Sequence, residues 1–242
     1  GPDGVKTVFV MDLEPIGPLV DRTPAPCPER VTLAGRFVSL EPLDMEKHSL
    51  TLWEAASGDG NEALWRYLPY GPFPDYEEFR DSLKEKAASS DPLFFAIVNC
   101  QSGQARGHAA LMRIAPPDRC IEVGNVFFTP PLQRTPAATE AIYLLARYIF
   151  EELRYRRYEW KCDALNGPSR RAALRFGFQF EGTFRQHKIV KGRNRDTAWF
   201  SMLDSEWPGR KANFERWLRP ENFDSLGRQI HSLSDLNGVT NE

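Results

Sequence analysis

The sequence predicts a mixed α/β domain of the α+β type, and three observations lead there. Strand-like alternation and helix-like apolar spacing both occur, which excludes an all-α or all-β domain. Residues 93–98, 105–114 and 120–129 are strand-like runs joined only by short turns, which predicts antiparallel neighbours. Beyond them strand and helix alternate, which predicts a parallel crossover.

Each element has its own signal. Pro15, Pro18, Pro24, Pro26 and Pro28 fall within residues 1–30 and block both helix and central strand, so this stretch reads as an arm. The run 8–11 (Val-Phe-Val-Met) is apolar enough to pack onto the body. Residues 36–40 alternate as a strand, and Asp44 is a plausible N-cap for a helix ending near Ala56. A second helix is expected over 61–67. A third follows Asp75, where Tyr76, Phe79 and Leu83 recur at helical spacing. Gly103 and Pro116-Pro117-Asp118 mark the turns between the three strands. A long helix over 137–153 carries Ile142, Leu145, Ile149 and Leu153 on one face. Then come a strand at 158–162, a helix at 169–176, strands at 178–184 and 197–203, and a last helix opened by Pro208 and ending at Leu218. Residues after Pro220 read as a polar tail. The expected division is therefore an arm (1–30), a central domain (31–207) and a C-terminal helix and tail (208–242).

Composition removes several classes. At 41% hydrophobic and 12% aromatic residues, with a net charge of −2, the chain is not disordered. No apolar run is long enough for a membrane helix, and no leader is visible, so a cytoplasmic setting is expected. Cys27, Cys100, Cys120 and Cys162 lie far apart with no CxxC, which argues against a disulfide scaffold or a metal site. The near-neutral total hides a strong asymmetry. Residues 154–195 hold 12 Lys or Arg against 3 Asp or Glu, a local charge of +9, while the remainder carries −11. Such a block predicts a polyanionic partner. The aromatics there fall on expected core positions and no zinc finger, RNP or GxxG motif is present, so a small phosphorylated ligand is preferred over nucleic acid.

The junction at 129–141, Thr-Pro-Pro-Leu-Gln-Arg-Thr-Pro-Ala-Ala-Thr-Glu-Ala, leads from a strand into a helix N-terminus. Free N–H groups and the positive end of the helix dipole make an anion site there, and the small residues Ala137 and Ala138 permit close approach. Further motifs follow in order. Glu122-Val123-Gly124 lies early in the preceding strand, Asn166-Gly167-Pro168-Ser169 opens the next helix, and Phe176-Gly177-Phe178 closes it. Glu181-Gly182, Arg185, Gly192, Asp196 and Glu206-Trp207 follow.

This ordered set resembles the GCN5-related N-acetyltransferase (GNAT) superfamily, and within it the branch of ribosomal-protein N-terminal acetyltransferases. The likeness covers about residues 31–207. It implies a GNAT-like fold, a central mixed sheet with splayed middle strands flanked by helices, and acetyl-CoA or another acyl-CoA as co-substrate. The family's pyrophosphate cradle reads Gln/Arg-x-x-Gly-x-Gly/Ala. Gln133 and Ala138 match it, whereas Pro136 stands where the family usually has Gly and lacks an N–H. Arg134 and the Thr135 hydroxyl are candidates to replace that donor.

By the same resemblance, backbone groups of Val126, Phe127 and Phe128 bind the pantetheine arm. Gln133, Arg134, Thr135, Ala137, Ala138 and Thr139 form the phosphate cradle, with Asn166, Ser169 and Arg170 beside it. Ser169 is the candidate for protonating the leaving thiolate, or else a capping residue. Asn166 orders the pantetheine or simply caps its helix. For the base, Glu122 and His187 are both open: Glu122 is otherwise a partner for an Arg, and His187 a surface residue. The implied reaction is direct transfer of acetyl to a primary amine of a small molecule or a protein N-terminus. A non-catalytic protein that binds CoA or a partner is the alternative. The Pro-rich arm and the C-terminal helix are expected to cover the sheet or mediate a homodimer, and specificity to lie in 44–90 and in loops at 185–196.

Overall fold

An eight-stranded sheet in the order β1-β2-β3-β4-β5-β6-β8-β7 organises the computed structural model, which describes residues 14–240. The apolar run 8–11 lies outside the described residues. The elements are β1 (Leu33–Ala34), β2 (Val38–Pro42), α1 (Met45–Ala56), α2 (Tyr76–Ala88), β3 (Leu93–Asn99), β4 (Ala105–Ala115), β5 (Cys120–Phe128), α3 (Pro136–Arg147), β6 (Arg157–Asp163), α4 (Gly167–Arg175), β7 (Gln179–Val190), β8 (Arg193–Leu203), α5 (Trp207–Leu218) and α6 (Leu233–Leu236).

Local chemistry sets the helix starts. The Asp44 and Asp75 carboxylates accept from the N–H groups of Lys47 and Glu78, each at 2.9 Å, and so cap α1 and α2. The stretch expected as a helix at 61–67 is a single 3-10 segment (Asn61–Trp65) entered through Gly60 in the left-handed region. The long helix is α-helical only to Arg147 and ends in one π turn (Tyr148–Glu152).

Two cores lie on the two faces of the sheet. On one face α3, α4 and α5 pack over Leu40, Phe95, Ile97, Leu111, Ile121 and Val123. On the other, α1 and α2 pack over Phe94, Ala96, Val98, Ala110 and Phe127. With both faces covered, β3 is almost continuously apolar rather than alternating. The buried Glu140 ties α3 to the sheet edge by accepting from Phe37 N at 2.7 Å and Val38 N at 2.9 Å. Gly35 permits that approach, since a Cβ there would collide with the Glu140 carboxylate.

Two expectations are corrected here. Residues 185–196 are not loops. Strands β7 and β8 form one long hairpin turning at Lys191-Gly192, and its far end pairs Lys188 with Arg195 and Val190 with Arg193. Because β7 is a largely exposed edge strand, its polar sequence carries no alternating signal. The polar tail is also ordered. Asn222 donates to Trp217 O and His231 O, Leu233 is fully buried, and Asn237 donates to Arg175 O at 2.8 Å, which folds the segment back onto α4 and α5. In the arm, residues 14–30 form no regular element. They are held by Tyr155 donating to Pro26 O and by Glu29 N donating to the Tyr148 hydroxyl, both at 3.0 Å.

Candidate active site

Every neighbouring strand pair is antiparallel except β5 and β6. These two share register only from Cys120↔Arg157 to Val123↔Trp160. Beyond that point residues 124–128 and 161–163 face each other without pairing, so the sheet opens into a V. A bulge sharpens the opening: Ala110 pairs with Gly124 and His108 with Phe127, leaving Asn125 and Val126 opposite Ala109 alone, with Asn125 at φ 50°. The fully buried His108 holds this bend through Nδ1, 2.9 Å from Asn125 O, and Tyr70 donates to Asn125 Oδ1 at 3.0 Å. Burial and the nearby Lys86 charge push His108 down to about 3, so the ring is neutral and its Nδ1–H donates.

A cleft of about 1320 Å³ runs through the V and out over both faces. On the α3/α4 face its wall begins at the first turn of α3. Thr135 is the N-cap but gives no side-chain cap: its hydroxyl donates instead to Leu132 O at 2.6 Å. The first amides of α3 are thus left without a side-chain acceptor, and Pro136 at the first position contributes none. Arg175 faces the same turn. It is largely buried, donates to Thr139 Oγ1 at 2.9 Å, lies over the Trp217 ring at 4.8 Å, and has no carboxylate within 4.0 Å among the described residues. Burial lowers its pKa, as expected for a cation without a counter-charge. Deeper in, Trp160 Nε1 donates to Ser169 Oγ at 3.0 Å, and Asn166 Oδ1 accepts from Ser169 N at 3.2 Å.

The other face is built from side chains. Ile121, Val123, Trp160 and Cys162 point into the α3 core, so Glu122 and Lys161 point the opposite way. Buried Glu122 lies 2.8 Å from Lys161 Nζ and 3.6 Å from Arg113 Nε. Burial raises the Glu122 pKa, and the two cations only partly offset that. Lys161 also lies 3.9 Å from the Trp199 ring centroid.

The sequence-predicted residues divide accordingly. Val126, Phe128, Gln133, Arg134, Thr135, Ala138, Thr139, Asn166, Ser169 and Glu122 all line the cleft. Phe127 offers it little beyond backbone, because its ring is buried against Trp65 and His108. Gln133 donates to Phe128 O at 2.8 Å, which ties the cradle loop to the end of β5. Ala137 is buried at the helix start, and Arg170 is turned onto Ala164 O and the Phe180 ring, outside the cleft lining. His187 sits in a separate shallow depression with Nδ1 2.8 Å from Thr197 Oγ1, and it is Lys188 that lines the cleft. Arg175, Lys161 and Arg195 also line it and were not singled out from the sequence. The +9 block that contains them was the available signal. No group of metal-ligating side chains occurs among the described residues, and no helix there is long and apolar enough to cross a membrane.

Comparisons with known proteins bear on the family and the fold. A family described as "Acetyltransferase (GNAT) domain" matches residues 40–179. A solved GCN5-related N-acetyltransferase from Brucella melitensis is 51% identical, covering 90% of this chain and 99% of that one, with a TM-score of 0.88. A GNAT-family structure from Chromobacterium violaceum ATCC 12472 is 44% identical over 81% of this chain and 98% of its own, with a TM-score of 0.75. An uncharacterized N-acetyltransferase, p20, of Bacillus licheniformis is 26% identical over 179 residues, covering 70% of this chain and 100% of that protein.

Proposed function

The chain belongs to the GNAT acetyltransferase family, and from that premise we propose an acyl-CoA-dependent N-acyltransferase that moves acetyl from acetyl-CoA directly onto a primary amine held in the same cleft. The observation that carries this is the V between β5 and β6. Strand edges there lack partners, and the opening leads to the uncapped amides of α3 and the unpaired Arg175. An acyl-CoA fits this arrangement, with an extended amide-bearing arm suited to the strand edges and a pyrophosphate suited to the helix start.

Acetyl-CoA supplies the thioester acyl group, and the protein supplies orientation and proton handling. One C–N bond forms, one C–S bond breaks, and one proton passes in net from nitrogen to sulfur. Backbone N–H groups in the bent stretch 125–128 are aimed by the His108–Asn125 bond and stabilise the charge that develops on the carbonyl oxygen. Glu122 takes the amine proton, directly or through one water. Its raised pKa brings it closer to neutral pH than an ordinary carboxylate. Ser169, oriented by the Trp160 indole, donates to the leaving sulfur. Arg175, Thr139 and the α3 amides hold the pyrophosphate, with Arg175 compensating for the donor missing at Pro136.

Calorimetry and a thiol-release assay test this together. The expected result is saturable acetyl-CoA binding and amine-dependent release of free CoA. No binding at millimolar acetyl-CoA would overturn it.

A further inference from the structure

The α1/α2 face of the cleft carries more positive charge than its ion pairs consume. Arg113 from β4, Lys161 from β6, Lys188 from β7 and Arg195 from β8 all line it, together with the carboxylates of Glu122 and Asp163. Lys161 and Arg113 both lie within ion-pair distance of Glu122. Lys188 and Arg195 are cross-strand partners on the β7–β8 hairpin and have no carboxylate within 4.0 Å among the described residues. Arg195 reaches only a neutral partner, donating to Thr197 Oγ1 at 3.1 Å. Lys161 also lies 3.6 Å from a second buried carboxylate, Glu159, so the unbalanced charge in this partly desolvated groove rests on Lys188 and Arg195. The crowding is felt by its members: burial, then Arg113 and Arg195, hold Lys188 below the ordinary lysine range.

These cations are not where the cofactor phosphates belong. Alternation along β6 and β8 puts Lys161 and Arg195 on the face opposite Trp160, Cys162 and Phe200, which belong to the α3 core. The helix start and Arg175 are on that other side. The surplus charge therefore flanks Glu122, on the side from which an amine approaches the V.

From this placement we propose that the amine acceptor carries an acidic group, a carboxylate or a phosphate, close to the nitrogen that is acetylated, and that Lys188 and Arg195 bind it. The proposal rests on acetyl transfer at this site and names the class of its acceptor. A guanidinium beside an ammonium suits either oxyanion. Holding the anion there places the amine over Glu122 while it offsets the like-charge crowding. A purely cationic amine would meet repulsion from the same groups.

The test uses matched acceptor pairs with and without that group: β-alanine against β-alaninamide and phosphoethanolamine against ethanolamine for small acceptors, and Ala-Glu-Glu amide against Ala-Gln-Gln amide for a peptide N-terminus. Thiol release is followed at saturating acetyl-CoA. In at least one pair the acidic member is expected to have kcat/KM about ten- to a hundredfold higher, the range of one or two charge-assisted hydrogen bonds. Rising salt should narrow the gap. Lys188→Gln and Arg195→Gln are partly exposed substitutions. They are expected to move the ratio toward one mainly through KM, with the acetyl-CoA Kd unchanged. The pair that responds identifies whether the acceptor is a small amine or a peptide. Equal or better turnover of the neutral members in every pair would overturn the proposal. So would variants that weaken acetyl-CoA instead. If acetyl-CoA binds but no amine is acetylated, transfer itself is wrong. Calorimetry of the same pairs with the CoA complex then decides the anion site, through tighter binding of the acidic members that is lost in Lys188→Gln.

Discussion

Under the proposed function, the two faces of the opened sheet solve different recognition problems with different materials. The α3/α4 face relies on backbone: uncapped amides, small residues at a helix start, and one largely buried guanidinium. The α1/α2 face relies on charged side chains from four separate strands gathered around the buried Glu122. On this proposal backbone groups would recognise what every acyl-CoA shares and tolerate much sequence change. Side chains recognise what differs between acceptors. Cofactor binding and acceptor choice should therefore respond to different substitutions.

The largest effect is expected on the side-chain face. Glu122→Gln removes the proposed base and should lower kcat/KM by about a hundred- to ten-thousandfold, with little change in acetyl-CoA affinity. The sign of the pH dependence follows from the raised pKa. Activity needs the ionised carboxylate, so it falls as pH drops through a value above the ordinary 4.5. That acid limb should vanish in Glu122→Gln and persist in His187→Gln; the reverse pattern would make His187 the base.

On the backbone face, Arg175→Ala should weaken acetyl-CoA by about ten- to a hundredfold, with Arg175→Lys recovering part of the loss, because a buried charge-assisted contact to phosphate is removed. Calorimetric Kd values check this, and an unchanged Kd would separate Arg175 from the phosphate site.

The bend between the faces has its own signature. His108 is held neutral down to about 3, whereas the unfolded histidine takes up a proton below about 6.5. Its contribution is therefore complete above pH 6.5 and is lost as pH falls toward 3, with a slope of about 1.4 kcal/mol per pH unit. His108→Asn should unfold with that much less pH dependence in denaturant titrations over this range.

The smallest effect is expected at Pro136. Pro136→Gly restores an amide donor and should tighten acetyl-CoA by about two- to tenfold. It should also lower Tm by about 1–4 °C through greater freedom of the unfolded chain.

Much of the fold was legible in the sequence because its signals are local. Asp44 and Asp75 announce their helices through side-chain caps, and the three antiparallel strands are bracketed by Gly and Pro turns. The helix over the V showed its apolar face through Ile142, Leu145 and Ile149, all fully buried. The near half of the β7–β8 hairpin was legible as strands at 178–184 and 197–203, but its far half at 185–196 was not, because an exposed edge strand need not alternate. Nor was the ordered tail, whose anchors, Asn222 and Leu233, act through contacts with distant partners. The site divided in the same way. Glu122, Ser169 and the cradle residues sit in recognisable runs of sequence. The Arg175–Thr139 bond joins residues 36 apart, and the Glu122–Lys161 pair exists only because β5 and β6 lie side by side.

A crystal structure with acetyl-CoA soaked in tests the two-face account most directly. The predicted result is a pantetheine arm between β5 and β6, a pyrophosphate on the first turn of α3 within reach of Arg175, and Lys188 and Arg195 free of the cofactor. A cofactor phosphate bound by Lys188 and Arg195, with the α3 start left open, would contradict it.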